Sequence, residues 1–159
     1  EMKSTGEAIG YDKKLTRALY KALQSSGMKL SNYGTIFVTI ADKDKEEALP
    51  LIRRFYNLGF NIEATKGTAN FLKSHGIRTR VKKKISEGSE EILESLRKGY
   101  VSYVINTRNV DSIEQETDGT YIRSCATQNN IPMFTSLDTV NAVLDVLEEI
   151  TLGISTINE

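Results

Sequence analysis

Apolar positions along the chain follow two rhythms, and the switches between them mark the elements. Leu15, Ala18, Leu19, Ala22 and Leu23 recur at helical spacing, with Asp12 placed to cap the start and Gly27 to end it, which predicts a helix over 12–26. Residues 28–34 read as a linker. A short β-rich run, TIFVTI (35–40), follows. A second helical pattern over 44–58 puts Ala48, Leu51, Ile52, Phe55 and Leu58 on one face and stops at Gly59. Pro50 lies inside it and removes one backbone donor, so a kink or a late helix start is expected. Strands are expected at 60–65 (FNIEAT), 77–81 (IRTRV, the weakest), 100–106 (YVSYVIN) and 131–136 (IPMFTS). Between them come a short helix from Gly67 to Ser74, closed by His75-Gly76, and a helix from Ser89 to Lys98. The latter carries Glu90 and Glu91 in its first turn and Arg97 and Lys98 in its last, which suits the helix dipole. A short helix near 120–129 contains Ile122, Cys125 and Ala126. A final helix over 137–151 carries Val140, Val143, Leu144, Leu147 and Ile150.

Strand and helix alternate, and each strand-to-strand connection is long enough for a crossover. The expected fold class is therefore α/β: a Rossmann-like three-layer fold with a mostly parallel five-stranded sheet flanked by helices. Two regions are expected, 1–33 and 34–159, the first a polar tail with a connecting helix and the second the main domain.

Composition narrows the function. Lys plus Arg number 21 and Asp plus Glu number 21 among 159 residues, so the formal net charge is zero. Nucleic-acid binding, which draws on a basic excess, is not expected as the main task. One cysteine, Cys125, and one histidine, His75, leave no intrachain disulfide and no ordinary Cys/His zinc site. No apolar run approaches the roughly 20 residues of a membrane span. No metal, membrane or nucleic-acid partner is expected, and a cytoplasmic location is. The opening residues Glu1-Met2-Lys3 read as a fragment cut from a longer protein.

In open parallel sheets, ligands bind beyond the carboxyl ends of the strands. The residues just after the five expected strands are rich in hydroxyls, amides and lysines: Thr39, Asp42, Asp44 and Lys45; Thr65 to Thr68; Lys82 to Lys84; Asn106, Thr107 and Arg108; Thr135, Ser136 and Asp138. Groups that act as bases near neutral pH are few. The 65–68 turn joins a strand to a helix, where free N–H groups and the positive end of the helix dipole point outward. Gly67 lets an anion approach the backbone, Thr65 and Thr68 add hydroxyls, and Lys45 and Lys84 can add charge. Such chemistry holds a phosphate, while Asn106 can read a base or sugar edge.

Plainer readings stand beside these. The 65–68 turn can be an N-cap with a turn glycine. Lys82 to Lys84 can be a solvated edge, His75 a residue meeting the last carbonyls of its helix, Cys125 core packing, and Asn106 a strand terminator.

The segments TIADKDK, ALPLIRRFYNLGFNIEATKGTANFL, VKKKISEG, VSYVINT and YIRSCATQNNIP resemble the methylglyoxal-synthase-like superfamily. Within it, the resemblance is to the C-terminal regulatory domain of the carbamoyl phosphate synthetase large subunit, over roughly residues 34–148. Separately, EMKSTGE at 1–7 resembles the end of the ATP-grasp unit that precedes that domain. The resemblance implies an allosteric, non-catalytic module that binds a nucleotide effector such as UMP, IMP or phosphoribosyl pyrophosphate. It implies that Thr39, Lys45, Thr65, Gly67, Thr68, Lys84, Asn106, Thr107 and Arg123 line the effector site. It implies no cofactor in this domain, and ATP with Mg or Mn in the parent enzyme. Its partners would be the rest of the large subunit and the glutaminase small subunit. The alternative is a small lyase acting on a triose phosphate. That activity needs a carboxylate base, whereas the loop after the fourth strand reads NTRNVDS.

Overall fold

A computed structural model describes residues 30–107 and 113–152, together with Ala18, Lys21, Ala22, Gln24, Ser25 and Gly27. The helix expected at 12–26 falls mostly outside these, although Ala18, Lys21, Ala22, Gln24 and Ser25 are helical. The boundary expected at 33–34, and the tail before it, cannot be drawn from the described residues, and Arg108 and Asp111 also lie outside them.

Five parallel strands form one sheet: β1 (Thr35–Thr39), β2 (Asn61–Ala64), β3 (Arg80–Val81), β4 (Val101–Asn106) and β5 (Met133–Phe134). Their order is β3-β2-β1-β4-β5. After β1, the α-helices among the described residues are α1 (Lys45–Asn57), α2 (Lys66–Ser74), α3 (Glu91–Arg97), α4 (Ile113–Gln128) and α5 (Leu137–Leu152). Alternation along each strand sends successive side chains to opposite faces. Ile36 and Val38 of β1 pack with Ile52 and Phe55 of α1, Leu72 of α2 and Val140 and Leu144 of α5. Phe37, between them, packs with Ile92 and Leu96 of α3 and Ile122 of α4. The result is the expected three-layer α/β sandwich.

Inside the first layer, Phe55 meets Phe60 edge to face at 5.2 Å between ring centroids, and Tyr103 lies against both at 6.1 Å. The Tyr103 ring is fully buried, and its hydroxyl donates to Ser31 O at 2.6 Å. Burial raises its pKa, which keeps the hydroxyl a donor. The expected linker is thereby pinned to β4. Ser102 bulges the β1–β4 register, and its hydroxyl donates to Tyr33 O at 2.7 Å. Gly34, at φ +116°, makes room for it; a Cβ there would lie 2.2 Å from Ser102 Oγ.

Three expectations need correction. Helix α1 does not start late at Pro50: it begins at Lys45, behind a 3-10 turn at Asp42–Asp44, and contains Pro50. Strand β3 keeps only Arg80 and Val81, because Ile77 turns into the core and the Thr79 hydroxyl closes on Ile77 O at 3.0 Å. Helix α4 begins seven residues before the expected 120, since its first two turns, IEQETDG, carry little apolar pattern. Two plainer readings hold. His75 Nδ1 lies 2.9 Å from Phe71 O at the end of α2, and Cys125 is buried against α3.

Candidate functional site

Strand order reverses between β1 and β4, and neighbouring crossovers leave the sheet in opposite directions there. The layers part at that switch point, beyond the carboxyl ends of the strands. A cleft of about 460 Å³ occupies this place. Eight of the nine residues expected at the site line it: Thr39, Lys45, Thr65, Gly67, Thr68, Lys84, Asn106 and Thr107. Arg123 is the exception, exposed on α4 and away from the cleft. Helix geometry explains the difference. Gln115, Asp118, Gly119 and Ile122 share one face at i, i+3, i+4 and i+7 and line the cleft, while Arg123 is turned a further step of about 100° around the helix.

The floor is a threonine network. Thr65 Oγ1 donates to Thr39 Oγ1 at 3.1 Å. Ile40 N donates to Thr68 Oγ1 at 3.0 Å, and Ala41 N to Thr107 Oγ1 at 2.9 Å. Thr107 N in turn reaches Thr39 O at 3.0 Å. Thr68 and Thr107 are therefore engaged in holding the β1–α1 loop, and their contribution to the cleft is to shape it.

Thr65 occupies the N-cap position of α2 with an extended backbone, yet it makes no side-chain cap bond, because its hydroxyl turns to Thr39. The first helical bond is donated by Ala69 N to Thr65 O at 2.7 Å, which leaves the N–H groups of residues 66–68 without an acceptor inside the helix. The plain N-cap reading of the 65–68 turn thus holds for the backbone position of Thr65 but not for its side chain, which makes no capping bond. Gly67 lines the cleft, and a Cβ built on it would lie 3.7 Å from Lys45 Nζ. Lys45 also bonds Asp42. This bond, followed by the charges of Lys45 and Lys84, holds the Asp42 carboxyl below the usual carboxylate range.

Lys84 closes the same end of the cleft at the start of a 3-10 turn, Ile85–Glu87. Its N–H donates to Glu87 Oε1 at 2.9 Å, and Lys83 N to Glu91 Oε1 at 3.0 Å. Two glutamates thus fix the backbone of the lysine run. Across the cleft, Ser86 N donates to Asp118 Oδ2 at 3.3 Å, tying that turn to α4. Gln115, Asp118 and Gly119 escaped sequence reading. The one signal in the sequence was a glycine inside a polar stretch, which reads equally as a turn.

Cations and free N–H groups gather at the α2 end, and acceptors and amides at the α4 end. Among the described residues no group of three or more His, Cys, Asp and Glu is placed to hold a metal ion, and no helix is long and apolar enough to cross a membrane. The sequence matches the family model of the MGS-like domain over residues 47–135, from α1 through β5. That stretch spans more than half of the chain and contains most of the cleft. The chain belongs to the MGS-like domain family.

Proposed function

We propose that the chain is the C-terminal regulatory domain of a carbamoyl phosphate synthetase large subunit, and that its cleft binds a nucleoside monophosphate effector such as UMP or IMP. The observation that carries the ligand is the uncapped start of α2. Residues 66–68 offer N–H groups at the positive end of a helix, with Lys45 and Lys84 beside them. A phosphate monoester satisfies all of these at once. A ribose or base then extends toward Asn106, Gln115 and Asp118, whose amides and carboxylate match hydroxyls and ring N–H groups. The cleft volume falls within the range of about 300–1,000 Å³ usual for small-molecule sites.

The parent enzyme is argued from sequence. EMKSTGE at 1–7 resembles the end of an ATP-grasp unit and precedes the domain in the order that the large subunit requires. In that setting the effector tunes carbamoyl phosphate synthesis for pyrimidine and arginine production. Coupling of this kind is worth ~1–3 kcal/mol. ATP, Mg or Mn and the glutaminase subunit belong to the parent, and this domain contributes no catalytic group.

A lyase acting on a triose phosphate is the second reading, and Asp118 is the observation that favours it, since it puts a carboxylate on the cleft wall. Asp42, the other acid there, is a poor base because Lys45 stabilises its ionised form. Two measurements separate the readings. Calorimetric titration with UMP, IMP and phosphoribosyl pyrophosphate should give saturable binding that Lys84→Ala weakens at least about tenfold. Release of methylglyoxal from dihydroxyacetone phosphate should not be detected. Turnover lost in Asp118→Asn would overturn the regulatory reading.

A further inference from the structure

One edge of the sheet carries a charge pattern that the cleft does not account for. From residue 64 to residue 86 the chain has seven lysines and arginines and no aspartate or glutamate, although its net charge is zero. Five of the seven fall in RTRVKKK (78–84), the stretch that holds β3, the edge strand of the sheet. Lys84 lines the cleft. Arg78, Arg80 and Lys83 are exposed, and Lys82 is half-buried. Arg80 stands 3.8 Å from Glu63 Oε2, whereas Arg78, Lys82 and Lys83 form no ion pair among the described residues.

The backbone of the same strand is open. In a parallel pair, the residues of an edge strand turn their N–H and C=O groups alternately toward the neighbour and away from it. Lys82 N donates to Ala64 O at 2.8 Å, and Val81 stands opposite Ala64 in the register, so the N–H and C=O of Val81 point away from the sheet. Its side chain is exposed as well. The outward row is short, because the next outward N–H, that of Lys83, already donates to Glu91 Oε1 at 3.0 Å.

Cations on an edge strand keep like edges apart, so a second copy cannot pair β3 against β3 without bringing the two cationic runs together. The same charges attract a strand of opposite sign. An outward main-chain donor and acceptor beside an exposed apolar side chain are what strand addition uses. We propose that the β3 edge binds an extended acidic segment of a partner protein, which pairs with the Val81 backbone and sets its carboxylates against Arg78, Lys82 and Lys83. The proposal does not rest on the effector reading, because none of these residues lines the cleft.

The test is titration of the full chain with a short peptide of alternating glutamate and valine, blocked at both ends and followed by nitrogen-edited NMR. The expected result is a saturable shift of the Val81 amide, with exchange of its proton slowed at least about tenfold. The peptide with lysine in place of glutamate should leave Val81 unmoved, and so should the acidic peptide N-methylated along its backbone. Arg78→Glu combined with Lys83→Glu should weaken binding at least about tenfold. Val81→Pro should do the same, since it removes the outward donor at a place where an edge strand tolerates proline. Arg78 and Lys83 are exposed, so their reversal tests the charge even if the proline variant fails to fold. No saturable shift at Val81 up to about 10 mM peptide would overturn the proposal. Equal binding of the N-methylated peptide would mean that charge acts without a strand, and stronger movement of the same resonances by a short oligothymidylate would assign the face to nucleic acid; either result also overturns it.

Discussion

Asn106 lies across from a helix position that has no side chain: a Cβ built on Gly119 would stand 3.0 Å from Asn106 Nδ2. Gly119 is inside α4, where alanine is favoured by ~1 kcal/mol over glycine. The two effects oppose each other in a single substitution. Gly119→Ala is expected to hold or raise the melting temperature while weakening nucleotide binding about tenfold, or ~1.4 kcal/mol, because the amide must shift. Thermal unfolding and calorimetry on the same variant check both halves.

The phosphate end should respond to charge. Loss of one charge-assisted hydrogen bond costs about 1.5–3 kcal/mol, so Lys45→Ala and Lys84→Ala should each weaken binding roughly 10- to 100-fold. Asp42→Asn should act in the opposite sense. It frees Lys45 from its exposed partner and should tighten binding by up to about fivefold, the scale of a surface ion pair. Titrations at two salt concentrations check the electrostatic origin, since all three differences should shrink as salt rises.

Ligand protonation sets the pH dependence. A phosphate monoester loses its second proton near pH ~6, and a cationic cleft prefers the dianion. Affinity should therefore fall as pH drops through about 6 and level off above about 7. Asp42 has its pKa lowered from 3.8, so it stays ionised over that range and adds no slope there. Its own stabilising contact is present above its unfolded pKa and is lost only in more acid solution. The corresponding methyl phosphodiester, singly charged throughout, should show a flat profile.

How much of this could be read from sequence depends on how local the signal was. Strong apolar runs such as TIFVTI and YVSYVIN, and the turn around Gly67, place β1, β4 and the phosphate end of the cleft, because pattern and turn chemistry decide them within a few residues. The α4 wall was not legible. Its cleft face is Gln115, Asp118, Gly119 and Ile122, three of which carry no apolar signal. Glu63 was equally hidden: in FNIEAT it reads as the polar step of an alternating strand, yet it is buried. Its hydrogen-bond partner, Tyr100, which also contacts Ser95, comes from more than 30 residues away.

Helices α1 and α5 are clasped by one arginine. Arg54 donates to Glu148 through Nε at 3.0 Å and Nη2 at 2.7 Å, to Asp145 at 2.8 Å and to Asn141 at 2.6 Å. The bond to Glu148 raises its pKa against the opposing effect of burial. The groups remain partly solvated, which discounts the cost of a broken buried pair, so Arg54→Ala should cost about 2 kcal/mol. Urea unfolding should show it as a lower midpoint with an unchanged slope.

The central claim is that a phosphate sits on the uncapped N–H groups of α2. Amide chemical shifts of Gly67 and Thr68, followed by nitrogen-edited NMR as UMP or IMP is added, test it most directly. Binding should move both resonances strongly downfield, saturating together, and in Lys84→Ala the same movement should need at least about tenfold more nucleotide. Nucleotide binding that leaves Gly67 and Thr68 unmoved, or no binding by the folded chain, would contradict the claim.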